Sequence, residues 1–363
     1  MKRFILTITS VMFIAFLALP VFAGGADEGE VYIPVISKGF QHDFWQAVKR
    51  GSDDAAADLG VTIVFEGPEG EAAVQDQVIM LQNALAKDPS AIALAALSTT
   101  AVVDQLEEAI RRDIPVIGFD SGVPDAPAGS IYANASTDNM AAGGIAAEEM
   151  FNVIKADIEA ATSRNPVTIV VFNQDAAGES LLGRGKGFRD KMVDLIANNS
   201  SMSRNDIAVV GNPAYIASNN PTSGDKVIID MVVPATSGTQ DVVSAANAIL
   251  NRVNDDNILG IFCSNEGTIV GLLSATNDGA DLASRYSDLI VIGFDAGISQ
   301  KNAVRQQLVY GSITQDPYQI GYQAVELAYK ASQGESVSDV DTGARFYNYQ
   351  NIDDPAIAPL LYD

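Results

Sequence analysis

With one histidine, His42, and one cysteine, Cys263, this 363-residue sequence has almost none of the side chains that build metal centres and nucleophilic triads. A two-histidine metal site or a histidine-dependent triad has little to draw on, and a single thiol forms no internal disulfide. Cys263 closes the apolar run Leu259-Gly260-Ile261-Phe262-Cys263, where a thiol behaves as a small core residue. No G-x-S-x-G elbow and no G-x-x-x-x-G-K-[ST] loop occurs, and no motif asks for a cofactor. Gly183-Arg184-Gly185-Lys186-Gly187 has a phosphate loop's glycines without its spacing, and it falls where a helix should begin. Basic residues are also scarce, 22 against 46 acidic ones, for a formal charge of −24. Such a surface repels nucleic acid and anionic lipid and argues against DNA binding.

What is present begins with an export signal. Lys2 and Arg3 precede an apolar run from Phe4 to Leu19, followed by Pro20 and Val21-Phe22-Ala23. A basic start, a short apolar stretch and a small-residue end predict a signal peptide over residues 1–23, cleaved after Ala23. The run is shorter than the ~20 apolar residues of a membrane span, and no later stretch is apolar enough to cross a bilayer. The expected location is therefore the periplasm. The remaining residues exceed what one core usually holds, and with 47% hydrophobic and 19% charged residues the chain reads as globular, in two domains.

Short apolar runs alternate with amphipathic stretches. Val31–Ile36, Val61–Phe65, Ala91–Ala96 and Val116–Phe119 read as strands, with helices over Phe44–Leu59, Gln75–Lys87 and Ala101–Arg112 between them. Continuous apolar strands separated by helices predict a parallel, doubly wound sheet with both faces covered. The pattern restarts at Thr168–Phe172 and continues through Leu259–Phe262 and Leu289–Phe294. Ile114-Pro115-Val116-Ile117-Gly118-Phe119-Asp120-Ser121-Gly122 returns as Leu289-Ile290-Val291-Ile292-Gly293-Phe294-Asp295-Ala296-Gly297, an offset of 175 residues (295 − 120). Two α/β lobes follow, each presenting an aspartate just past a strand's carboxyl end, where ligands bind in open α/β sheets. Asp-x-Gly is also ordinary turn chemistry. Residues 198–238, rich in Asn, Ser, Gly and Pro around a strand-like Val227–Val233, read as a loop-rich insertion.

Six phrases in order carry a family resemblance. They are Ser37-Lys38 through Phe44-Trp45, Gly118-Phe119-Asp120, Arg184-Gly185-Lys186-Gly187-Phe188, Ser264-Asn265-Glu266, Gly293-Phe294-Asp295 and Gln315-Asp316-Pro317. In this combination the chain resembles the type I periplasmic binding proteins of the ribose-binding class, which serve ABC importers. The resemblance implies a Venus-flytrap of two Rossmann-like lobes joined by a multi-strand hinge. The crossings fall near Thr137-Asp138, near Gln315-Asp316 and near residues 340–345. One lobe then comprises residues 27–137 and 316–342, the other 138–315 and 343–363. It departs from the class at Ala96-Leu97-Ser98, at Ser121, and at Lys38 and His42.

The implied ligand-binding set is Lys38, Phe44, Trp45, Asp120, Thr137, Arg184, Asn265, Asp295 and Gln315. For a sugar or polyol, Asp120 and Asp295 would accept hydroxyl protons and Arg184 would donate in a fork. Asn265 and Gln315 do both, Phe44 and Trp45 would cover a ring face, and Lys38 would donate to a ring oxygen. Plainer alternatives stand beside these: an aromatic in the core, Arg184 paired with Glu179, and a structural His42. The implied partners are a small sugar-like ligand and an ABC transporter permease, with the protein a monomer that performs no catalysis. A furanosyl quorum signal as ligand, a chemoreceptor or sensor kinase as partner, and a glycosidase using Asp120 and Asp295 are the other readings.

Overall fold

The computed structural model describes residues 30–362 apart from position 41. The expected signal peptide and its cleavage site lie outside the described residues. In chain order the first lobe runs β1 (Tyr32–Ile36), α1 (Asp43–Leu59), β2 (Thr62–Glu66), α2 (Val74–Leu85), β3 (Ile92–Leu94), α3 (Val103–Arg111), β4 (Val116–Phe119) and β5 (Ile131–Ser136). The second runs α4 (Asn139–Ala160), β6 (Val167–Phe172), α5 (Glu179–Asn199), β7 (Ile207–Gly211), β8 (Val227–Val232), α6 (Thr239–Asn251), β9 (Ile258–Cys263), α7 (Glu266–Ala275), β10 (Ile290–Phe294), α8 (Ile298–Arg305) and β11 (Gly311–Gln315). The last elements are α9 (Pro317–Ser332), β12 (Val340–Asp341) and β13 (Ala344–Tyr347).

Two sheets result, ordered β12-β5-β4-β3-β1-β2 and β13-β11-β10-β9-β6-β8-β7. Every strand pair is parallel except β11 with β13, as strand–helix alternation requires. The chain passes between sheets three times. It leaves the first after β5, leaves the second after β11, where α9 packs on α1 of the first lobe, and crosses again between β12 and β13. Thr137 Oγ1 donates to the Gly343 carbonyl at 3.3 Å, which ties the first crossing to the third.

Each lobe contains one helix pair in backbone contact. A Cβ on Gly51 of α1 would lie 2.0 Å from the Tyr318 carbonyl oxygen of α9. In the other pair, a Cβ on Gly143 of α4 or Gly187 of α5 would lie 2.1 Å from a carbonyl oxygen of the partner helix, that of Arg184 or Met140. Only glycine permits this approach. The phrase Arg184–Phe188 lies in the interior of α5 rather than at its start, and Gly187 within it serves helix packing.

Three further readings change. Residues 198–238 are more than an insertion, because β7 and β8 within them complete the second sheet. The polar spacing of Asn134 and Ser136 hides β5, which the apolar-run criterion misses. β2 is an edge strand, and Val64 is 40% exposed where a run covered on both faces was expected.

Candidate functional site

The repeated Gly-Phe-Asp phrase ends equivalent strands in the two lobes. Phe119 and Phe294 are buried in the core, while the next residue leaves the strand in the left-handed region, Asp120 at φ 54° and Asp295 at φ 79°. Asp tolerates that region better than most side chains, and the turn aims each carboxylate into the space between the sheets. The backbone keeps one last ladder contact: Asp120 N donates to Ala135 O at 3.0 Å, and Asp295 N to Ile313 O at 2.6 Å.

One guanidinium meets both acids. Arg184, in the second turn of α5, lies 4.0 Å from Asp120 Oδ1 and 3.8 Å from Asp295 Oδ2. It donates to Asn139 Oδ1 at 2.9 Å and to the Ser264 carbonyl at 3.2 Å, and its Cζ sits 3.8 Å over the Phe294 ring centre. The Asp295 carboxylate also accepts from the Glu266 amide at 3.0 Å and from Gln315 Nε2 at 2.7 Å. Lys38, at the end of β1, reaches Asp120 Oδ2 at 3.1 Å and the Ser180 hydroxyl of the other lobe at 3.2 Å. Burial opposes the Lys38 ammonium, and the carboxylates of Asp120 and Glu71 outweigh it, so its pKa lies above the ordinary lysine value. The lysine is off line for a hydrogen bond to Asp120 Oδ2, and Asp120 Oδ2 and Gln315 Oε1 are buried acceptors without a donor.

Phe44 and Trp45 open α1 and form the opposite wall, their rings edge to face at 4.9 Å. Trp45 Nε1–H donates to Glu71 Oε1 at 3.2 Å, and the Lys38 ammonium sits 5.8 Å from the indole centre. These residues, with His42, Leu181, Asn265 and Glu266, line a narrow cleft between the lobes. Glu266 Oε1 lies 3.9 Å from His42 Nδ1, across the two lobes, and Glu266 Oε2 is buried without a partner. Burial, reinforced by Asp295, Asp43 and Glu71, pushes Glu266 up to about 8.

Eight of the nine residues named from the sequence line this cleft; Thr137 does not. Its hydroxyl is committed to the hinge carbonyl of Gly343, a place set by the crossing itself. The periplasmic binding protein domain family matches residues 33–336. The chain belongs to that family.

A protein from Brachyspira murdochii, described as an ABC transporter, LacI family transcriptional regulator, is 39% identical with a TM-score of 0.74. The match covers 92% of this chain and 99% of that one. An ABC transporter solute-binding protein from Agrobacterium vitis, solved with bound D-fucose, is 28% identical with a TM-score of 0.73 over 91% of this chain and 100% of that one. The D-allose-binding periplasmic protein of Escherichia coli is 21% identical over 86% of this chain and 88% of its own length.

Within this periplasmic binding protein the cleft also holds residues that sequence reasoning passed over. Glu71 lies in the loop before α2, where no periodicity marks it. Glu266 follows Asn265 in a phrase already singled out, and its carboxyl is as buried as the neighbouring amide. Asn265 is less free than a ligand contact suggests. Its Oδ1 caps α7 by accepting from Thr268 N at 3.1 Å, and its Nδ2 donates to Gln174 Oε1. His42 stands at the N-cap of α1 and makes no side-chain capping bond there. Among the described residues, no group of three or more His, Cys, Asp or Glu is arranged to hold a metal ion. No described helix is long and apolar enough to cross a membrane.

Proposed function

We propose that this chain is an exported solute-binding protein that captures one small sugar or polyol between its lobes and delivers it to an ABC transporter permease. The observation that carries the reading is the convergence of Asp120 and Asp295, from opposite sheets, on Arg184. A hydroxylated ring beside them would find carboxylates that accept, a guanidinium and an ammonium that donate, and an amide that does both. The unmet acceptors Asp120 Oδ2 and Gln315 Oε1 point to hydroxyl donors, and Trp45 supplies an apolar face. The D-fucose bound by the Agrobacterium vitis protein and the D-allose named for the Escherichia coli one support a monosaccharide.

The free energy for switching comes from differential affinity. Only a ligand touching both lobes favours the closed arrangement over the open one. Lys38, Asp120 and Trp45 belong to one lobe, Arg184, Asn265 and Asp295 to the other, and Gln315 lies at a crossing. The membrane partner would recognise the closed form.

Titration calorimetry with D-allose, D-ribose, D-fucose and D-arabinose tests the reading, together with analysis of the recovered sugar. Saturable one-to-one binding and unchanged sugar are expected, and exported material should begin at Gly24. Failure of these four and of every other sugar tested to bind, or recovery of a chemically altered sugar, would refute it.

A further inference from the structure

The charges around the cleft are unevenly shared. Lys38 and Arg184, the two strong bases, both sit against Asp120, and Arg184 reaches Asp295 as well. Glu71 and Glu266 line the same cleft, and among the described residues neither is ion-paired to a lysine or arginine. Glu71 accepts the Trp45 indole N–H on one oxygen. Glu266 is 7% exposed, and its Oε2 has no partner.

The two acids come from opposite lobes, Glu71 from the loop before α2 and Glu266 from the start of α7, and the Glu71 charge acts on Glu266. Closing the cleft therefore brings two carboxyl groups together in a desolvated place, where both ionise only if a cation intervenes. His42 Nδ1 lies 3.9 Å from Glu266 Oε1, beyond hydrogen-bond range. Protonated, that one imidazole would offset at most one of the two acids, and the Lys38 ammonium, which the Glu71 charge favours, is already held by Asp120. The other charged groups that face Glu266 are Asp295, Asp43 and Lys301.

We propose that the ligand is an amino sugar, a polyol ring whose primary ammonium is received by Glu71 and Glu266 while its hydroxyls meet Asp120, Asp295, Arg184 and Gln315. The proposal rests on the sugar reading and narrows it. An ammonium has three donors and no acceptor, which suits Glu266 Oε2 and the carboxylate of Glu71. It would replace the proton that burial holds on Glu266 near neutral pH, so capture would release a proton to the solvent. A neutral sugar would leave that proton in place.

The experiment compares matched triples by titration calorimetry at pH 6.5: D-glucosamine, D-galactosamine and D-mannosamine, each against its parent hexose and its N-acetyl form. Repeats in buffers of different ionisation enthalpy count released protons. At least one amine should bind on the order of tenfold tighter than both uncharged counterparts, with proton release. Glu266→Gln and, independently, Glu71→Gln should each reduce that preference about tenfold. Parent hexoses binding as tightly as the amines, or an amine preference untouched in both variants, overturns the amino-sugar assignment and leaves the sugar reading standing. Binding of none of the nine compounds overturns the assignment; the sugar reading falls only if the four neutral sugars also fail.

Discussion

Trp45 donates its indole N–H to Glu71 Oε1 at 3.2 Å, so the one tryptophan of the chain is held by a carboxylate of the cleft wall. Because Trp45 is unique, intrinsic fluorescence reports the cleft without labelling. Ligand should shift its emission. Glu71→Ala should change the ligand-free spectrum and weaken binding on the order of tenfold, the worth of a hydrogen bond to a charged group. Glu71→Gln keeps an acceptor and should leave the ligand-free spectrum near wild type. A Glu71→Ala protein with unchanged spectrum and affinity would remove Glu71 from the site.

The two repeated aspartates should differ in a way their sequence context hides. Asp120→Ala and Asp295→Ala should each weaken sugar binding by ~2–4 kcal/mol, roughly 30- to 1000-fold. Asp120→Ala also strands the buried Lys38 ammonium, and losing one partner of a buried pair costs about 3–5 kcal/mol. Its ligand-free melting temperature should therefore fall well below that of Asp295→Ala. Lys38→Met added to Asp120→Ala should recover melting temperature without recovering affinity. Equal melting temperatures for the two single variants would contradict the ion pair.

Glu266 gives stability a pH dependence of definite sign. Its pKa rises from 4.5 to about 8 through burial. Below about 4.5 folded and unfolded chains both hold the proton, and nothing is lost. Between 4.5 and about 8 the unfolded chain ionises while the folded chain does not, so stability declines as pH rises. Above about 8 both are ionised and the loss is complete. Melting curves across this window should show the decline in wild type and a flatter profile in Glu266→Gln. Parallel profiles would show that Glu266 is solvated.

The lobes were legible because a strand buried on both faces needs an unbroken apolar run, and the Gly-Phe-Asp phrase repeats where the two sheets do the same task. β5 escaped because Asn134 and Ser136 interrupt its run, and β7 because it sits among turn residues. In the cleft, Asp120, Asp295 and Arg184 belong to phrases tied to strand and helix ends, which local sequence marks. Glu71 reaches the cleft only because the loop before α2 folds back towards Trp45, a long-range relation that neighbouring residues do not encode. Thr137 lies outside the cleft lining for a related reason: it stands at a crossing, and its hydroxyl is committed to the Gly343 carbonyl of the third crossing.

The glycines that let α4 and α5 touch backbone to backbone have a consequence for how such a protein diversifies. Arg184 stands between Gly183 and Gly185, on a helix whose distance from its neighbour is fixed by main-chain contact. The starting point of its side chain is therefore set by main-chain contact. Trp45, Glu71 and Glu266 sit on loop ends and first helical turns, where substitution disturbs no such contact. A lineage, or an engineer, can exchange these cleft-lining groups while the arginine's helix stays in register.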